Sequence, residues 1–152
     1  MSYKEQGLWV SLSLTLYLIY FYYSKMLLLQ NSMKLNETTY FGLLVTTVVW
    51  LTIISVISHI VLAIINYKEA DNVDDERDKL INLYGCRAGY YFLSIGVVVS
   101  IVHVQINNVI GTHLGISTEL GLVNFMHIIV MSFLIADAIK YATQVFYYRR
   151  DS

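Results

Sequence analysis

Between Thr38 and Tyr67 the chain reads TTYFGLLVTTVVWLTIISVISHIVLAIINY, without one Asp, Glu, Lys or Arg. A helix of roughly 20 predominantly apolar residues crosses the ~30 Å of hydrocarbon in a bilayer. The stretch therefore holds one spanning helix with interfacial ends. Its run Val45–Ile57 does not alternate as a barrel strand would. In lipid, backbone groups must be bonded internally, which favours a helix over an open strand. The same four residue types are missing from Gln6–Ser24, Ala88–Thr118 and Leu120–Ala136. These gaps predict an all-α protein, an integral membrane four-helix bundle forming one domain over residues 1–152, with spans near 7–29, 40–65, 88–110 and 120–142.

Composition agrees with that reading and excludes others. Of the 152 residues, 57% are hydrophobic and 14% charged, with one Cys and no Pro. Mean hydropathy is +0.57. Disorder is excluded by the apolar content and a net charge of only -1. A disulfide scaffold cannot be built within a chain that has one Cys. With 10 Lys+Arg against 11 Asp+Glu, no basic surface for direct nucleic-acid binding is expected.

The positive-inside rule sets the expected orientation. Lys4, Lys68, Arg77, Lys79, Arg87, Lys140, Arg149 and Arg150 fall on one side, and Lys25 and Lys34 on the other. Both termini are therefore expected in the cytoplasm. The first span is read as a retained helix, because its leader carries Glu5 beside Lys4 and its bulky end Tyr20-Phe21-Tyr22-Tyr23 lacks a small-residue cleavage site. Tyr20, Tyr22, Tyr23 and Tyr40 are expected in the outer aromatic belt, and Tyr67, Tyr90, Tyr91, Tyr147 and Tyr148 in the inner one.

Asp74 or Asp75 reads as the cap of the third helix, which is extended into the cytoplasm ahead of its span. Asp75, Arg77 and Asp78 are candidate residues of a partner-binding surface there; a solvated cap is the plainer reading. Gly85, Gly89 and Gly96 share one helix face and are expected at a close helix–helix contact, inside the chain or at a dimer seam. Cys86 is read as a packed thiol, with palmitoylation as the alternative.

A carboxylate within a span is costly and usually finds a partner. Asp137 is therefore expected to form an intramembrane ion pair with Arg87 or Lys140. His103, His113 and His127 fall towards the outer side, with His113 in the loop joining the third and fourth helices. Interhelical hydrogen bonds are the plain reading. A transition metal or haem held by these histidines is the alternative, in a small carrier or redox protein. No cofactor is otherwise expected. Neither H-E-x-x-H, G-x-S-x-G nor a P-loop is present, so no enzyme is expected. Asn36-Glu37-Thr38 matches a glycosylation acceptor, a short and common pattern.

Lys4-Glu5 with Trp9-Val10, Asp75-Glu76-Arg77-Asp78 with Leu80-Ile81, Arg87 and Tyr90-Tyr91, and Lys140-Tyr141 through Tyr147-Tyr148-Arg149-Arg150 together carry a resemblance. The chain resembles a family of uncharacterised small bacterial four-helix membrane proteins, a domain-of-unknown-function family. The likeness covers nearly the whole chain. It implies a multi-pass protein of the bacterial inner membrane, with no activity to carry over to a residue. Genes of similar proteins often lie beside a helix-turn-helix regulator. The expected function is thus regulatory or structural: a homo-oligomer in the lipid bilayer that presents an acidic inner loop and a basic tail to a cytoplasmic regulatory protein.

Overall fold

A computed structural model of the chain describes residues 3–32, 37–65, 75–114 and 121–150. They form four α-helices: α1 (Tyr3–Asn31), α2 (Glu37–Ile65), α3 (Glu76–Leu114) and α4 (Gly121–Arg150). Each is long and apolar enough to cross a membrane. α1 at both ends, α3 at its start and α4 at its end run beyond the charge-free stretches, because backbone hydrogen bonding continues past the last apolar residue. α3 has 39 residues, about 58 Å at 1.5 Å per residue. That exceeds the roughly 40–45 Å of a whole bilayer with its headgroups.

α3 starts where its capping residues dictate. Asp75 Oδ1 accepts the Glu76 amide at 2.7 Å, and the Asp75 carbonyl accepts the first helical bond, from the Lys79 amide, at 3.1 Å. Asp78 reaches back to the Asp75 amide at 3.3 Å, so the two acids cap each other's end of the first turn. The far end of α3 corrects one expectation. His113 lies within the helix and not in a connecting loop. Gly111 does not stop the helix, which is described as far as Leu114 with no proline to break it sooner. The side chain of His113, Asn36 of the acceptor tripeptide, and the loop acids Glu69, Asp71 and Asp74 lie outside the described residues.

The helices run alternately up and down, so the start of α1, the end of α2, the start of α3 and the end of α4 share one end of the bundle. The tightest seam joins α3 to α4. A Cβ on Gly85 would lie 2.8 Å from the Lys140 carbonyl oxygen, and one on Gly89 would lie 2.9 Å from that of Ala136. A Cβ on Gly96 would collide with Ser132, whose hydroxyl is turned back to the Ile128 carbonyl at 2.6 Å. Only glycine lets the α4 backbone approach this closely.

α1 packs on α4, and α2 packs chiefly on α1. Leu18, Tyr22 and Met26 of α1, Tyr40 of α2, and Val123 and Leu134 of α4 form the core. Outside it, α2 presents Phe41, Val45, Val49, Ile53, Ile60 and Ile64 to the surroundings. Such a wide apolar exterior suits hydrocarbon and would be unusual in water.

The glycine seam makes a paired prediction. Gly89→Ala has no room and should destabilise the protein by about 1–3 kcal/mol through overpacking. Gly42→Ala on α2 meets nothing within 4 Å and should be neutral or stabilising by up to ~1 kcal/mol. Thermal unfolding of both variants in the same detergent checks this; equal shifts would contradict the seam.

Candidate functional site

Polar side chains gather at the two ends of the bundle. At one end they form a latch centred on Asp78. Its Oδ2 accepts the Lys4 ammonium of α1 at 2.6 Å. Its Oδ1 accepts the Tyr148 hydroxyl of α4. One carboxylate thus ties three helix ends together. Around it, Glu5 meets Arg149 at 3.5 Å, and Gln144 donates to Asn82 at 2.8 Å. Arg149 also lies over the Trp9 ring, 5.2 Å from its centre, and Arg150 lies 4.8 Å from that of Tyr147.

Asp78 precedes the charge-free stretch that begins at Ala88. Burial pushes its carboxyl up, but the Lys4 ammonium, the Tyr148 hydroxyl and the Asp75 amide outweigh this and hold it below the usual range.

Beside the latch a cavity of about 350 Å³ opens between the helices. Lys4, Ser11, His59, Asp78, Lys140 and Gln144 are among its lining residues. His59 Nδ1 lies 2.9 Å from the Ser55 carbonyl, to which it can only donate. In the neutral ring Nε2 is then an acceptor, and the Ser11 hydroxyl donates a hydrogen bond to it at 3.3 Å. Ser11 and His59 stand 48 residues apart, and no local motif announces the pair.

At the other end Tyr22 and Tyr40 are 0% and 1% exposed. Their hydroxyls are 2.9 Å apart, and the Tyr22 hydroxyl lies 3.0 Å from His127 Nδ1. A hydroxyl can donate once and accept as well, so Tyr22 serves both neighbours. Its ring also stacks on His127, with centres 5.6 Å apart. Tyr20 and Tyr23 are exposed, whereas Tyr22 and Tyr40, expected in the outer belt, belong to the core. A second, apolar cavity of about 290 Å³ lies between α1 and α2, lined by Leu14, Tyr17, Leu18, Phe21, Trp50 and Ile54.

The expected Asp137–Arg87 pair does not form. Arg87 is exposed, with Nε 3.4 Å from the Tyr91 hydroxyl on its own helix. Helix geometry explains this. Arg87 stands two residues from both Gly85 and Gly89, roughly 160–200° round the helix from the face on α4. Asp137 is half-buried, and the Lys140 ammonium rests 5.0 Å from the centre of the Tyr141 ring. Cys86 is likewise exposed and not packed, one position off the glycine face, with its thiol 3.5 Å from Asn82 Oδ1.

The candidate partner surface divides. Asp75 caps α3 and Asp78 holds the latch. Arg77 faces outward, 3.5 Å from the Tyr148 carbonyl and 5.7 Å from that ring's centre. Of the three histidines, His127 is joined to the tyrosines and His103 is half-buried on α3. Among the described residues, no three His, Cys, Asp or Glu side chains gather as ligands for a metal ion.

The latch carries a pH dependence. Because the Asp78 carboxyl titrates lower folded than unfolded, its contribution to stability is full above an unfolded pKa of about 3.9. That contribution is lost as pH falls through the lower, folded value. Asp78→Asn should cost about 1–3 kcal/mol near neutrality and should remove this part of the acid sensitivity. Thermal midpoints of wild type and variant at neutral pH and below pH 4 measure it. An unchanged difference between the two proteins across that range would count against the latch.

Compared with known proteins, the chain matches no family model, no curated protein and no solved structure.

Proposed function

We propose that this chain is a non-enzymatic regulatory or structural protein of the bacterial cytoplasmic membrane, with both termini inside, that holds a cytoplasmic partner against its charged end. The observation that carries the reading is the Asp78 latch. It draws the starts of α1 and α3 and the end of α4 into one fixed platform. A platform held by charge-assisted hydrogen bonds is pre-organised, which lowers the entropic cost of docking.

In this reading Arg77 and Arg149, rather than Asp75 and Asp78, face the partner. Asp75 and Asp78 are turned to internal work, whereas Arg77 and Arg149 stand on the outer edge, the latter with 63% of its side chain exposed. A partner with an acidic docking face is the complement of that edge. The resemblance to bacterial proteins encoded beside helix-turn-helix regulators suggests such a regulator as the kind of partner. Copies of the chain would meet through α2, which packs chiefly on α1.

Ser11 and His59 are read as a clip between α1 and α2, not as nucleophile and base. Acyl transfer needs donors aimed at the developing oxyanion. Ser11 sits within a helix, where neighbouring amides are engaged in helical bonds.

The reading is tested by a photo-cross-linking residue placed at position 150 in cells. Wild type should yield one discrete adduct with a cytoplasmic protein. Arg77→Glu combined with Arg149→Glu should reduce it about tenfold, the effect of losing ~1.4 kcal/mol. The same adduct at equal yield in both forms, or adducts with lipid alone, would overturn the proposal.

A further inference from the structure

The cavity beside the latch has a chemistry that the latch leaves unused. Its volume of about 350 Å³ falls at the small end of the ~300–1,000 Å³ typical of ligand sites. Every helix contributes to it: Lys4 and Ser11 from α1, His59 from α2, Asp78 from α3, and Lys140 and Gln144 from α4. Two ammonium groups and one carboxylate leave the lining with one net positive charge when His59 is neutral.

That charge resides on Lys140. Lys4 is taken by Asp78 at 2.6 Å. The Lys140 ammonium rests on the Tyr141 ring; no described carboxylate stands within ion-pair distance of it, and Asp137, one turn earlier on α4, acts on it only through space. Hydrogen-bond donors stand close by. The Gln144 amide uses one N–H on Asn82 and has a second, and the Tyr141 side chain also lines the cavity. The remaining wall includes Gly7, Leu8 and Ile81, which suits an amphiphile better than a fully hydrated ion. A lysine near the end of a span reaches the headgroup layer by extending its stem.

We infer that this cavity binds a singly charged phosphate group, with Lys140 as its cation and Gln144 and Tyr141 as its donors. The phosphodiester of an anionic phospholipid and free inorganic phosphate share that chemistry. The inference rests on the reading that this end lies at a bilayer surface, and not on the identity of any protein partner.

The experiment is native mass spectrometry of the full chain in nanodiscs containing phosphatidylglycerol and phosphatidylcholine. Wild type and Lys140→Arg should retain phosphatidylglycerol in preference to phosphatidylcholine. Lys140→Gln, which keeps most of the stem, should retain about tenfold less, the scale of one charge-assisted hydrogen bond. Lys25→Gln, whose lysine lies over Phe21 at the opposite end, should retain lipid as wild type does. Retention by Lys140→Gln equal to wild type, or an equal loss in Lys25→Gln, would overturn the inference.

Inorganic phosphate added at millimolar concentration separates the two sources. Displacement of lipid from wild type supports a site shared with free phosphate, and retention of lipid supports the headgroup as the source. A chain that fails to enter the nanodisc overturns the membrane reading together with this one. A chain that enters but shows no dependence on Lys140 overturns this one alone.

Discussion

The close approach of α3 to α4 is the constraint on which the other helices depend. In hydrocarbon, apolar side chains gain little by exchanging lipid for one another, so helices associate where shape allows many short contacts. Gly85, Gly89 and Gly96 supply that shape by bringing carbonyl oxygens and short side chains of α4 against a bare backbone. The order of packing follows. α1 lies on α4 through Leu18, Tyr22 and Met26 against Val123 and Leu134, and α2 lies on α1.

Polar contacts do different work from the seam. They collect at the ends, where Asp78 joins Lys4 and Tyr148, and where Tyr22 joins Tyr40 and His127. Side-chain hydrogen bonds across membrane helices are modest in strength, about 0.6 kcal/mol on average, but they are directional. They set how far each helix slides and turns relative to its neighbours. The Ser11–His59 bond does the same for α2 near the charged end. The charged end is consequently the most determined part of the surface, and both functional readings place their ligand there.

Much of this architecture was legible in the residues. The four helices follow from charge-free stretches, because an ionised side chain in hydrocarbon is expensive enough to mark the limits of a span. A cap at Asp74 or Asp75 and the common face of Gly85, Gly89 and Gly96 follow from local geometry. What could not be read was direction round the helix axis. α1 and α4 are apolar on nearly every face, so no stripe says which side meets a neighbour. Tyr22 is buried and Tyr23 exposed for that reason, though they are adjacent and chemically alike. Arg87 turns to Tyr91 on its own helix and not to Asp137, a matter of azimuth that the sequence pattern does not mark. Ser11 and His59 become partners only once α1 and α2 are placed side by side.

The gap between α1 and α2 bears on what the folded molecule consists of. Leu14, Tyr17, Leu18, Phe21, Trp50 and Ile54 line a gap of about 290 Å³ left open among the described residues. An apolar void forfeits dispersion contacts on every wall, and a flexible hydrocarbon tail restores them at small cost. In a bilayer or micelle, acyl chains would serve as interchangeable packing material in this gap. The resting geometry of the α1–α2 hairpin would then be a property of chain and amphiphile together, and micelles of different tail length would offer the same sequence different interiors.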